Sequence, residues 1–286
     1  FPYTTLFRSF VTLSNSYHGE TVAAMSVGDV SLFTDTYRPL LLDTLKVPSP
    51  DCYLRPEGVS WEEHSRSMFS HMERTLAEHH REIAAVIVEP MSGSAGAIVP
   101  PVGYLQRLRE ICTQHNILLI FDEVITGFGR MGKWSGAEFF GVTPDLMNVA
   151  KQITNGAIPL GAVVASSEIY TTFMQQPSPE HMIEFTHGYT YSAHPVACAA
   201  GLVFGMGLWL DEAQMQAWGW RVPFLIAAPL GLVGLYMRLR LGESPAFQAL
   251  AAQPHPEHSP LRETLREHGG TVLCLSAFIS ATALSF

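Results

Sequence analysis

Three side chains capable of acid–base and nucleophilic chemistry stand at the ends of short apolar runs in the sequence. Glu89, Asp122 and Lys151 each close or directly follow one such run. The runs have the length and composition of buried β-strands. In parallel sheets ligands gather at the carboxyl ends of the strands. We therefore expect these three side chains to converge at one edge of a sheet.

A carboxylate and a lysine at neighbouring strand ends have two interpretations, which spacing alone leaves open. One is a structural ion pair. The other is a site for pyridoxal phosphate, which needs a lysine to form a Schiff base and a carboxylate to keep the pyridine nitrogen protonated. Lysine suits this task because burial lowers the pKa of its amine, which then acts as nucleophile and base.

The elements that position these residues alternate between strand and helix patterns. Ser60 and Glu63 form a capping-box pattern ahead of an amphipathic helix over residues 61–80. A second helix is predicted around GYLQRLREICTQH, and GAVVAS adds a fourth strand to the three runs. This alternation predicts an α/β fold with a mostly parallel sheet covered by helices on both faces.

Composition excludes some functions and favours a compartment. The net charge of −9 argues against nucleic acid as a partner. The four cysteines are far apart and form no C-x-x-C pair, so neither a zinc site nor a disulfide framework is indicated. A reducing cytoplasmic setting is expected, with the cysteines as small core residues.

The segment GFGRMG, from Gly127 to Gly132, fits the G-x-G-x-x-G pattern of dinucleotide sites. That pattern indicates nucleotide binding only where it forms a tight turn directly between a strand and a helix. Here several residues separate it from the preceding apolar run. We do not expect a nucleotide site.

Several motifs in the expected order resemble those of class III aminotransferases. They are SYHGET, FDEVITGFGR, a lysine 29 positions after Asp122, and FTHGYTYSAHPVACAAG. The resemblance covers residues 10–201, an incomplete large domain of a pyridoxal phosphate-dependent transferase. It implies transfer of an amino group from an amine or an ω- or α-amino acid to a keto acid. It also implies a homodimer.

The resemblance assigns the residues nearest the cofactor. Lys151 would form the Schiff base and then carry the proton between the substrate and the cofactor. Asp122 would pair with the pyridinium nitrogen. Val124 and Tyr17 would cover the two faces of the ring.

Four further residues receive supporting roles from the same resemblance. His18 and Gly19 would build the loop that carries Tyr17 (which on its own indicates only turn packing). Glu89 would be a polar partner near cofactor and substrate, although a solvated strand end is an alternative. Thr190 would give its hydroxyl to the phosphate of the neighbouring subunit, although a plain loop hydroxyl fits as well.

The two parts of this region resemble different branches of the family. The first part is similar to the transaminase that acts on 7-keto-8-aminopelargonate. From EPMSGSAGAIVPPVGYL onward the sequence is similar to the ω-amino acid–pyruvate branch. A join near AAVIVEP or a single unfamiliar subfamily would each produce this pattern.

The two ends of the chain differ from this region. Residues 1–9, FPYTTLFRS, correspond to the translation of a string that resembles a short-read sequencing adapter, so we expect them to lie outside the fold. In the family, a Gly-Ser segment upstream of Tyr17 holds the phosphate, and this chain has the adapter-like segment there instead. The chain is therefore expected to be inactive.

Residues 202–286 contain two uncharged runs, 222–237 and 269–286, the first bracketed by arginines. From residue 203 they resemble the sixth helix and central loop of metabolite–proton symporters of the major facilitator superfamily. This resemblance implies transmembrane segments in the inner or plasma membrane, with lipid as a partner, and transport as the rival function. A buried helix of a soluble protein is the alternative for runs of this length.

Overall fold

The computed structural model describes residues 9–175, 187–207, 209–222, 225 and 236. The chain divides into two compact units, Phe1–Ala227 and Ala228–Phe286. Of the second unit, only Tyr236 is among the described residues. Residues 1–8 and the apolar run 269–286 are also outside them, as is most of the run 222–237. None of the helices in the described ranges combines the length and apolar composition needed to cross a bilayer.

One six-stranded sheet organises the described part of the chain. Its strands are β1 Ser9–Leu13, β2 Leu45–Val47, β3 Ile83–Val88, β4 Leu118–Asp122, β5 Leu146–Val149 and β6 Ala162–Ala165. Their spatial order is β2-β1-β3-β4-β5-β6. All neighbours are parallel except β5 and β6, which pair antiparallel. The predicted α/β class with a mostly parallel sheet is confirmed.

Helices connect and flank these strands. They are α1 Val22–Val27, α2 Ser31–Thr34, α3 Trp61–His79, α4 Tyr104–Gln114, α5 Gly136–Phe140, α6 Ser167–Met174, α7 Pro195–Gly207 and α8 Glu212–Ala217, with 3-10 turns at Asp35–Leu40, Lys151–Thr154 and Gly219–Arg221. The Ser60 hydroxyl accepts the Glu63 N–H at 3.2 Å, so the predicted helix begins where the capping pattern placed it.

Two long helices supply much of the core beside the strands. Helix α3 buries Phe69, Met72 and Leu76, and α4 buries a stripe that includes Leu108. These side chains join Phe121 and other apolar residues of β1, β3 and β4 in one cluster. The helices therefore anchor the central strands, whose carboxyl ends carry the candidate site.

The structure differs from the sequence-based prediction at both edges of the sheet. Strands β1 and β2 were not predicted, and β1 lies between β2 and β3. Ser9, assigned from the sequence to a segment outside the fold, is the first residue of β1 and pairs with Ile83. Strand β6 is exposed at all four residues, unlike the covered strands expected of an apolar run.

The cysteines follow the prediction only in part. Cys52 and Cys112 are buried, as expected of small core residues. Cys198 is exposed, so the prediction is wrong there. Cys274 lies outside the described residues.

Candidate active site

The register of the parallel strands brings three predicted residues to one edge of the sheet. Val88 pairs with Phe121, so Glu89 and Asp122 follow at the same level of β3 and β4. Asp122 in turn pairs with Asn148 of β5. Lys151 comes two residues after the end of that strand. The predicted convergence at the strand ends is therefore seen in the backbone.

Asp122 is buried and is held by two hydrogen bonds. Nδ1 of His18 donates to Oδ2 at 2.7 Å, between side chains that are 1% and 6% exposed. The N–H of Val124 donates to Oδ1 at 3.1 Å. The sequence assigned His18 only to a supporting loop and gave no sign of this contact, which joins residues 104 positions apart.

Glu89 is buried rather than solvated, with 6% of its surface exposed. Its Oε2 accepts the N–H of Tyr17 and the hydroxyl of Ser92, both at 3.4 Å, and its Oε1 accepts the N–H of Gly93 at 3.1 Å. Burial raises the pKa of Glu89, although the Gly93 N–H, His18 and the Tyr17 N–H each oppose the shift. The carboxyl thus links the loop after β1 to the loop after β3.

The raised pKa of Glu89 predicts a pH-dependent contribution to stability. Below the ordinary value of about 4.5 the carboxyl is protonated in both the folded and the unfolded chain. Between that value and the higher folded pKa, only the native state keeps the proton, so the free energy of unfolding falls as pH rises. Glu89→Gln cannot ionise and should gain stability relative to wild type across this window.

Urea unfolding of both proteins at a series of pH values measures this difference. The Gln side chain also changes one hydrogen-bond acceptor, which adds an offset independent of pH. A difference between the two proteins that stays constant with pH would contradict a raised pKa at Glu89.

Tyr17 lies beside these carboxylates on the loop after β1. Its hydroxyl donates to Oε1 of Glu20 at 3.1 Å, and its ring lies 5.1 Å from that of Phe33. Burial and the neighbouring Glu20 raise the pKa of Tyr17. Gly19 has φ of +117°, a backbone conformation that favours glycine, so the loop turns sharply just after His18.

Lys151 differs from the other two lysines of the chain. Lys46 and Lys133 are each paired with a carboxylate, at 2.6 Å and 3.8 Å. Lys151 is exposed, makes no ion pair within the described ranges, and lines a cavity of ≈ 520 Å³ with Gly156 and Leu160. Its φ of +49° is uncommon for a residue with a side chain. The alternative of an Asp122–Lys151 ion pair is not formed.

Thr190 lies near the start of the described segment 187–207. It is exposed and lies in a turn where the Tyr189 N–H donates to the Ser192 hydroxyl at 2.8 Å. No hydrogen bond connects it to the site residues in the part of the chain that the structure describes.

Two other features contain none of the predicted site residues. The segment from Gly127 to Gly132 forms turns and ends four residues before α5, so it is not a tight strand-to-helix turn. A larger cavity of ≈ 790 Å³ lies at the amino ends of the strands, where Ala84 and Leu118 are near the starts of β3 and β4. None of the predicted site residues lines this larger cavity, whereas Lys151 lines the smaller one, so the smaller cavity is the better candidate.

Known proteins resemble this chain over the same region. The family model described as aminotransferase class-III matches residues 5–204. The beta-alanine–pyruvate aminotransferase of Pseudomonas aeruginosa is 84% identical over 120 residues, which cover 42% of this chain and 27% of that protein. The omega-amino acid–pyruvate aminotransferase of Pseudomonas putida is 54% identical over 194 residues, 66% of this chain and 42% of that protein.

The second predicted branch is also found among the relatives. The adenosylmethionine-8-amino-7-oxononanoate aminotransferase of Anoxybacillus flavithermus is 42% identical over 215 residues, 73% of this chain and 47% of that protein. The chain spans less than half the length of these curated relatives.

Solved structures agree with this relationship. An (S)-enantioselective omega-transaminase from Thermomicrobium roseum superposes with a TM-score of 0.64 at 38% identity, covering 68% of this chain and 43% of that one. The omega transaminase of Pseudomonas jessenii in complex with PMP gives 0.61 at 33% identity, with 68% and 43% covered.

Proposed function

The chain belongs to the class III aminotransferase family, and on that premise we propose that its site transfers an amino group from an amine or amino acid to a keto acid. Enzymes of this family depend on pyridoxal phosphate, which supplies an electrophilic carbon for amines and a ring that accepts electrons. The observation that carries the proposal is the buried Asp122 at a strand end, beside a strand that leads to Lys151, which forms no ion pair among the described residues.

The donor set around Asp122 fits a protonated ring nitrogen. Each carboxylate oxygen accepts one hydrogen bond, from His18 or from the Val124 N–H. A carboxylate offers about four acceptor positions, so capacity remains for a further N–H. We propose that Asp122 accepts that N–H and that His18 fixes the orientation of the carboxylate.

Lys151 is proposed as the residue that binds the cofactor covalently and then moves the substrate proton. Its amine has no carboxylate partner in the described ranges, so it is available as a nucleophile. Once released from the cofactor, Nζ would take the proton from the substrate carbon that bears the amine and deliver it to the cofactor. The adjoining cavity of ≈ 520 Å³ lies within the size range of small-ligand sites.

The remaining roles are proposed from family resemblance together with placement. Tyr17 and Val124 would cover the two faces of the ring, and Glu89 would fix the Tyr17 loop through the Tyr17 N–H. The family typically forms dimers. Because Thr190 is exposed and has no hydrogen bond to the other site residues in the described ranges, we propose that it serves the phosphate site of a second copy.

The proposed substrate class is based on the relatives, and a direct experiment can test it. We propose an ω-amino acid such as β-alanine as donor and pyruvate as acceptor, in the cytoplasm. Adding β-alanine to the chain loaded with pyridoxal phosphate should convert the cofactor to its amine form, followed by absorbance, and pyruvate should reverse the change. No conversion would contradict the proposal and agree with the inactivity expected from the sequence.

For residues 203–286 a membrane-spanning transporter fragment stays a prediction, with lipid as its proposed partner. Its support is the run 222–237, 16 uncharged residues between Arg221 and Arg238. The full chain should then remain with membranes through a carbonate wash. Release into the soluble fraction would contradict the prediction and favour a soluble aminotransferase.

A further inference from the structure

Glu123, the residue after Asp122, is a fully buried carboxylate with three donors. Its Oε1 accepts the N–H of Ala137 at 2.7 Å, and its Oε2 accepts the N–H of Gly136 at 2.8 Å. The Thr126 hydroxyl also donates to Oε2, and both Glu123 and Thr126 are 0% exposed. Each carboxylate oxygen is therefore satisfied inside the protein, where an unpaired carboxylate would be strongly unfavourable.

These donors stand at the two ends of one loop. Thr126 lies near the start of the segment between β4 and α5, and Gly136 and Ala137 are the first residues of α5. Hydrogen bonds to a charged acceptor are stronger than those between neutral groups. The Glu123 carboxylate therefore closes the loop 124–135, whose first residue is Val124.

The closed loop also packs against the end of β3. A Cβ added at Gly136 would lie 2.6 Å from Cβ of Pro90 and 3.2 Å from Oε2 of Glu123. A Cβ added at Gly93 would lie 3.2 Å from the Ile125 side chain. The segment that follows Asp122 is thus in close contact with the segment that follows Glu89.

We propose that Glu123 is a positioning residue, whose carboxylate locks loop 124–135 and so fixes Val124 and Asp122 at the cofactor face of the site. The importance of this lock for catalysis rests on the function proposed above. The lock itself is inferred only from the hydrogen bonds of Glu123.

Glu123→Gln and a matched pair at Thr126 test the lock in the full chain. In Glu123→Gln an amide NH₂ faces at least one backbone N–H, whereas Thr126→Val removes only the hydroxyl and Thr126→Ser keeps it. We expect hydrogen exchange in residues 123–140 to become about tenfold faster or more in Glu123→Gln. Thr126→Val should show a smaller increase in exchange and Thr126→Ser none.

The methyl resonances of Val124 report positioning without any cofactor. They should shift in Glu123→Gln and Thr126→Val and stay in place in Thr126→Ser. Unchanged exchange and unchanged methyl positions in Glu123→Gln would overturn the proposal. Uniformly faster exchange over the whole chain in Thr126→Val would also overturn it, since this indicates a general loss of stability.

Bound cofactor provides the functional arm of the experiment. The circular dichroism of pyridoxal phosphate, per mole bound, should weaken in Glu123→Gln and Thr126→Val and be retained in Thr126→Ser. An unchanged signal beside faster exchange would overturn the positioning role. A wild-type chain that binds no cofactor would contradict the proposed function, while exchange and methyl positions would still decide whether Glu123 locks the loop.

Discussion

Lys151→Ala is expected to abolish covalent attachment of pyridoxal phosphate and to lower amino transfer by ~10²–10⁴-fold or more, the range for loss of a positioned acid–base group. The variant removes both the nucleophile for the cofactor and the proposed proton carrier. Borohydride reduction of the loaded chain, followed by peptide mapping, measures attachment. The wild-type label should fall on the peptide that contains Lys151.

The other two lysines are matched controls for this experiment. Lys46 and Lys133 are held in ion pairs with Asp29 and Glu138, and their replacement by alanine should leave the label at Lys151. Both pairs are partly exposed, so their loss should change stability only slightly. A label on Lys46 or Lys133 in the wild-type chain would show that the assignment of Lys151 is wrong.

The strand ends could be predicted from the sequence because their signals are local. The apolar runs before Glu89, Asp122 and Lys151 each have strand length and are separated by helical patterns. In a parallel sheet this arrangement is enough to bring the ends of neighbouring strands to one edge. The structure accordingly places Asp122 and Glu89 beside each other.

Contacts between distant segments could not be predicted in this way. The His18–Asp122 hydrogen bond depends on β1, a five-residue strand that the sequence-based assignment missed. The three contacts of Glu123 depend on the path of loop 124–135, which carries glycines but no periodic pattern. The sequence singled out Asp122 by motif, whereas Glu123 has a role only once Gly136 and Ala137 are placed against it.

The contrast between these neighbouring carboxylates has a physical basis. The Glu123 carboxylate accepts hydrogen bonds from three groups, two backbone N–H and one hydroxyl, which together close a loop. Asp122 has one contact on each oxygen and acceptor capacity left over. Burial of both is tolerable because each is hydrogen-bonded, but Asp122, with two donors instead of three among the described residues, retains more acceptor capacity for a ligand.

Asp122→Asn is expected to retain covalent attachment at Lys151 while lowering amino transfer by ~10²–10³-fold, the range found when one electrostatic stabiliser of a transition state is removed. The amide keeps the size of the side chain, and its oxygen still accepts the Val124 N–H. It carries no charge to hold a proton on the ring nitrogen, so the ring becomes a weaker electron acceptor. Its NH₂ group would also face the Nδ1–H of His18.

Measuring both properties on the same preparation separates this effect from loss of binding. Borohydride labelling of Lys151 should match wild type at saturating cofactor, while the rate of proton removal, followed with substrate deuterated at the reacting carbon, should become slower. His18→Asn leaves the Asp122 charge in place and removes an orienting contact, so its rate should fall less than that of Asp122→Asn. If Asp122→Asn transferred amino groups at the wild-type rate, Asp122 could not be the group that keeps the ring protonated, and the buried His18–Asp122 pair would be structural.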